Sequence, residues 1–117
     1  MSYDYLLFKP TAPIRHPDDL SEATTAPLGD AAQVRALIAA MFSGVQWHDW
    51  GGVVEEGAGR FEFKLRADQG SVLAFNVSCS HRLDPASSQR FIEKLCRAQG
   101  WVAFDGQKLI VVGSAQP

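Results

Sequence analysis

The chain has 117 residues, 46% of them hydrophobic and 21% charged, which is globular usage at the length of one domain and excludes collagen, a coiled coil and a disordered chain. Its formal net charge of −2 lacks the basic excess of a nucleic-acid binder. No apolar stretch approaches the roughly 18 residues of a membrane span, and Met1 to Lys9 lack the basic and apolar regions of a signal peptide, so one cytoplasmic domain over residues 1–117, with neither nucleic-acid nor membrane partners, is expected.

Tyr3 to Phe8 is aromatic and aliphatic and stops at Lys9-Pro10, which marks a first strand ended by the missing N–H of proline. From Pro10 to Gly29 the chain carries four of its six prolines with Thr, Ser and Asp and no apolar periodicity. It therefore reads as a Pro-rich loop over 10–29, longer than the usual connection of about 4–6 residues and so either mobile or functional, with the composition of a short helical turn at Asp18 to Glu22. Asp30 followed by Gln33 forms a capping box, and Val34, Leu37, Ile38 and Met41 recur at helical spacing until Ser43-Gly44. Trp47 to Glu56 reads as a second strand interrupted at Gly51-Gly52, followed by a turn at Gly57-Ala58-Gly59.

Arg60 to Arg66 alternates cleanly, with Phe61, Phe63 and Leu65 on one side and charged residues on the other, as expected of an antiparallel strand with one wet face. After a hairpin at Asp68-Gln69-Gly70, the next strand places Leu73, Phe75, Val77 and Cys79 on the core parity. Asp84-Pro85 opens a second helix with Phe91, Ile92, Leu95 and Cys96 as its stripe and Gly100 as its stop. Trp101 to Phe104 and Lys108 to Val112 then pair about Asp105-Gly106-Gln107. The order βαβββαββ predicts an α+β fold, a two-layer sandwich with two helices on one face of a mostly antiparallel sheet.

Charge is unevenly distributed. Residues 1–59 hold eight acids and three bases, and the remainder five acids and eight bases, so an acidic region is available to steer a basic partner. Asp18, Asp19, Glu22, Glu55 and Glu56 are its candidate contacts. Trp47-His48-Asp49-Trp50 is the most unusual local cluster, since aromatic anchors beside charges have the composition of an interface hot spot, although large indoles are commonly buried. The three histidines have no recognised ligand spacing, so neither a metal nor a cofactor is expected. His48 with Asp49, or Cys79 with His81, would be the groups available to an enzyme, but the parity of Cys79 places it in the core, where a thiol is inert. Two cysteines outside any C-x-x-C pair are read as reduced.

Met1-Ser2-Tyr3-Asp4-Tyr5, the helix ending Met41-Phe42-Ser43-Gly44-Val45-Gln46-Trp47, Phe61-Glu62-Phe63 and Gly100-Trp101-Val102-Ala103-Phe104-Asp105 together resemble small bacterial proteins that include immunity partners of polymorphic toxin and secretion systems. The resemblance spans most of the chain and its motifs are mainly structural. With the absence of a catalytic motif, the split charge and the long loop, it leads to the expectation of a non-enzymatic binding protein that neutralises a cognate protein toxin or another basic protein; Asp18, Asp19, Glu22, Trp47, His48, Asp49, Trp50, Glu55 and Glu56, singled out by charge and composition, are the expected partner contacts. The 10–29 loop lies outside the pattern, where partner choice would be encoded. Two alternatives stand beside this reading: a small intracellular enzyme or ligand-binding domain using His48/Asp49 or Cys79/His81, and a homo-oligomeric protein, such as a homodimer, pairing through the edge at 108–112.

Overall fold

The structure is a computed structural model, and it describes residues 3–56, 59–66, 70–80, 85–106 and 110–112. Its elements follow the chain as β1 (Tyr3–Pro10), a 3₁₀ turn (Pro17–Asp19), β2 (Thr25–Ala26), β3 (Gly29–Asp30), α1 (Ala31–Met41), β4 (Gln46–His48), β5 (Gly51–Glu56), β6 (Gly59–Lys64), β7 (Ser71–Val72), β8 (Ala74–Cys79), α2 (Pro85–Gln99), β9 (Val102–Asp105) and β10 (Ile110–Val112). This is an α+β fold. The main sheet runs β10-β9-β1-β8-β6-β5-β4 with every neighbouring pair antiparallel.

β1 is central because it is apolar on both parities and can be paired on both sides. Tyr5 and Leu7 lie opposite Val77 and Phe75 of β8 and opposite Asp105 and Ala103 of β9. The alternation expected for 60–66 continues that row, with Phe61 and Phe63 opposite Cys79 and Val77. These residues share one buried cluster with Ala31, Val34 and Ile38 of α1 and with Phe91, Ile92, Leu95 and Cys96 of α2. Phe91 is its keystone, stacked on Phe61 at 3.5 Å and on Phe42 at 4.8 Å between ring centroids.

Both helices begin or end as their sequence signals require. Asp30 accepts from the Gln33 amide at 2.8 Å, and the Gln33 side chain accepts from the Asp30 amide at 2.9 Å, which satisfies donors at the start of α1. At the end of α2, Gly100 takes φ +71° and the Trp101 amide donates to the Cys96 carbonyl at 2.9 Å, a Schellman closure open to glycine at little cost. Asp84, the expected cap of this helix, lies outside the described residues, as do Asp68 and Gln69 of the expected hairpin, Gly57 and Ala58 of the expected turn before it, Gln107 of the expected last turn and residues 108–109 of the expected last strand.

Several expectations need correction. The 47–56 segment is a hairpin rather than one interrupted strand: Gln46, Trp47 and His48 lie opposite Val53, Gly52 and Gly51, and the chain reverses at Asp49-Trp50. Leu73 leaves the core parity and is 64% exposed, while Val72 is fully buried. A bend between β7 and β8 causes this one-residue shift, since β7 turns aside to pair with β3. Leu37 also falls off the buried stripe of α1.

The 10–29 segment is tied down without any apolar period. β2 pairs with Lys9-Pro10, the Leu28 amide donates to the Val72 carbonyl at 2.8 Å, and β3 pairs with β7. The short helical turn falls at Pro17–Asp19, where His16 and Asp19 cap it reciprocally. Only two isolated aliphatics, Ile14 and Leu28, are buried along the segment, too few to show as a repeat.

Candidate functional site

The non-core parity of the main sheet gives a second face. Across β4, β5, β6 and β8 it carries Gln46 and His48, Val53 and Glu55, Arg60, Glu62 and Lys64, and Asn76 and Ser78, all exposed or half-buried. Towards β1, β9 and β10 it becomes apolar, with Leu6, Phe8, Phe104 and Val111 each half-buried.

The Asp49-Trp50 turn stands at one corner of this face, and its two tryptophans have separate environments. Trp47 is half-buried against the core, with its ring 6.5 Å from Phe63. It lies over Gly52, where an added Cβ would come within 2.5 Å of the indole, so glycine is required for the ring to lie flat. Gly51 is constrained more tightly: its φ is +153°, and a Cβ there would meet the Phe63 carbonyl oxygen at 1.9 Å. Trp50 is 42% exposed. The His48 ring stacks on it nearly parallel at 5.2 Å, and Lys64 Nζ lies 5.0 Å from the indole centroid.

Arg35 holds the turn from below. From α1 its guanidinium donates to the Leu65 carbonyl at 2.9 and 3.2 Å, to the Asp49 carbonyl at 3.5 Å and to the His48 carbonyl, while stacking 4.9 Å from the Trp47 centroid. The Leu65 amide in turn donates to the Trp50 carbonyl at 3.1 Å. Three successive carbonyls, of His48, Asp49 and Trp50, are thereby engaged, and an exposed indole is presented on a fixed backbone. Sequence reasoning missed Arg35 because one arginine on a helix surface has no distinguishing spacing. Only the tertiary approach of α1 to the turn gives it acceptors.

The expected contact residues do not form one patch. Trp47, His48, Asp49 and Trp50 gather at the turn, and Glu55 lies further along β5 on the second face. The side chain of Glu56 lies outside the described residues. Asp18, Asp19 and Glu22 are exposed beyond the Pro10 end of β1, and β8, β6 and β5 lie between β1 and β4, whose axes are about 19 Å apart at the usual strand spacing. Asp19 is also occupied locally, accepting from the Arg15 and His16 amides at 3.0 and 3.1 Å.

The enzymatic pairing of His48 with Asp49 is not assembled. The His48 ring packs on Trp50, and no hydrogen bond joins it to the Asp49 carboxylate among the described residues. Cys79 is fully buried, and burial pushes its thiol up to about 12, far from the ionisation a nucleophile needs. His81 lies outside the described residues. Among the described residues no three His, Cys, Asp or Glu side chains gather as a metal site, and no helix is long and apolar enough to cross a membrane. No family model, curated protein or solved structure matches the chain.

Proposed function

We propose that this protein is a non-enzymatic binding protein of the immunity type, which recognises a protein partner through the Asp49-Trp50 turn and the adjoining second face of the sheet. The observation that carries the reading is the pairing of an indole left 42% exposed with a backbone that Arg35 holds in place. A large aromatic presented rigidly has little conformational entropy left to lose on association, which is the physical profile of an interface anchor. In this reading the helices form one layer and leave the second face of the sheet to the partner. Asp49 next to Trp50 and Glu55 further along β5 add negative charge, and Asp18, Asp19 and Glu22 contribute long-range steering of a basic toxin rather than direct contact. The resemblance to immunity proteins supplies the class of partner.

Co-expression with the product of the adjacent gene tests this. The reading expects that product to arrest growth, the chain to restore growth and co-purify with it, and Trp50→Ala to lose protection while melting at the wild-type temperature. A harmless neighbouring product, or protection indifferent to Trp50→Ala, overturns it.

A further inference from the structure

Val102 is fully buried, yet its place in β9 puts it on the face of the sheet that the helices do not cover. It lies opposite Phe8 of β1, on the parity of Leu6 and Phe104 rather than on that of Leu7 and Ala103. It is accordingly absent from the cluster that the two helices close. Among the described buried hydrophobic residues one other stands outside that cluster, Ile14, which is 2% exposed and belongs to the 10–29 segment. Val102 needs a cover and Ile14 needs a floor, because a buried side chain must touch others on every side. The reach allows each to serve the other. The chain leaves β1 at Pro10, and Val102 lies one strand across and two residues back, about 8 Å away, whereas the extended backbone from Pro10 to Ile14 covers up to about 13 Å. Pro17 and Leu20 of the same segment are half-buried, as are Phe8 and Phe104 beside Val102.

The segment is otherwise attached to itself. The described hydrogen bonds of residues 12–23 all close within residues 11–25. Asp19 accepts from the Arg15 and His16 amides at 3.0 and 3.1 Å, the Thr24 hydroxyl donates to the Asp19 carbonyl at 2.6 Å, and the Thr25 hydroxyl donates to the Ser21 carbonyl at 2.7 Å. At the neck the Thr11 amide donates to the Thr24 carbonyl at 2.8 Å. This is the economy of an Ω-loop, whose ends meet and whose own side chains fill it.

From this arrangement we infer that residues 11–24 form a strap folded over the apolar end of the second face, seated by Ile14 on Phe8 and Val102, which swings open about its neck without unfolding the sheet. Opening breaks one apolar contact and no strand pairing, since the strap keeps its own hydrogen bonds and β1 keeps β8 and β9 on its two sides. Closed, the strap hides Val102; open, it joins Val102 and Phe8 to Leu6 and Phe104 as one apolar surface. The Pro-rich segment thus controls access to this half of the face, a device that goes beyond the binding function proposed above and does not depend on it.

Thiol labelling of a Val102→Cys variant at pH 8 tests the inference, with the buried Cys79 and Cys96 as internal references that only global unfolding uncovers. The introduced thiol is expected to react at least about tenfold faster than either reference, at a rate that urea below the unfolding transition does not change. Adding Ile14→Asp should raise that rate by about thirtyfold or more while the Val77 amide keeps its protection from exchange, and Ile14→Ala should raise it in the same direction if the aspartate variant fails to fold. With Val102 retained, Ile14→Ala should shift the Val102 methyl signals and leave those of Val77, on the helix face, in place. Labelling of Val102→Cys as slow and as urea-dependent as that of Cys79 overturns the inference. So does a rate indifferent to Ile14, a rise matched by equal loss of protection at Val77, or Val102 methyl signals that Ile14→Ala leaves unmoved.

Discussion

Arg35→Met removes the one side chain that ties α1 to the Asp49-Trp50 turn while keeping an unbranched stem in place. The His48 and Asp49 carbonyls are exposed and can turn to water, so their loss costs little. The Leu65 carbonyl is part-buried and accepts twice from the guanidinium, at 2.9 and 3.2 Å. Stranding it costs about 1–3 kcal/mol, and the lost stacking on Trp47 adds about 0.5–1 kcal/mol. A total near 2–3 kcal/mol is a large part of the stability of a domain this size. With a urea dependence of about 1–3 kcal/mol per molar, the unfolding midpoint should fall by about 0.7–3 M at unchanged slope. Hydrogen exchange gives a local readout: the Leu65 amide, bonded to Trp50, should lose protection by more than the Val77 amide in the central sheet. Arg35→Lys should recover less than half of the loss, because an ammonium lacks the fork that reaches two backbone segments together. A midpoint shift below about 0.3 M, or equal loss of protection at Leu65 and Val77, would refute the reasoning that Arg35 fixes the turn.

Gly51→Ala places a Cβ 1.9 Å from the Phe63 carbonyl and should cost more than 3 kcal/mol, whereas Gly44→Ala, at φ +81° in open space, should cost only about 1 kcal/mol; thermal melts of the pair check both values. Burial raises the thiols of Cys79 and Cys96 from 9.0 to about 12, so above pH 9 the unfolded chain binds fewer protons than the folded one; stability should be level below pH 9 and fall as pH rises toward 12, and a Cys79→Ala/Cys96→Ala variant should flatten that decline in urea titrations. Neither thiol should react with a labelling reagent at pH 8 until the chain unfolds. Trp50→Ala should change stability by less than about 0.5 kcal/mol and Trp47→Ala should lower it by about 2–3 kcal/mol, and comparable losses in both would show the pair to be equally structural.

The helices and inner strands were legible because each has a repeated apolar period and a chemical stop. Phe61-Phe63-Leu65, Phe75-Val77-Cys79 and Phe91-Ile92-Leu95-Cys96 are all buried as the alternation and the helical stripe require. The errors fall where one residue decides. A strand read through Trp47 to Glu56 gives the correct extended character, but the reversal at Asp49-Trp50 depends on Gly51 closing against the Phe63 carbonyl, a contact between segments twelve residues apart. Leu73 fails for a similar reason, because β3 draws β7 away and advances the parity by one residue. The 10–29 segment had no period to read, since its order comes from Ile14, Leu28 and a set of local side-chain bonds around Asp19 and Thr24.

The candidate site follows the same division. The cluster Trp47-His48-Asp49-Trp50 was conspicuous from composition, and the structure gives its two indoles different environments, but it does so through the turn rather than through strand alternation. In a continuous strand Trp50 would lie on the parity opposite to Trp47 and could lie flat over its neighbours on the second face. Because the chain reverses at Asp49-Trp50, His48 and Lys64 lie opposite Gly51 on its two sides, and they are the indole's neighbours among the described ring and cation contacts. Arg35 supplies what composition could not indicate, a side chain from another element that occupies the carbonyls the reversal leaves pointing outward. Exposure on a turn whose carbonyls are engaged would give the proposed partner a surface already in shape.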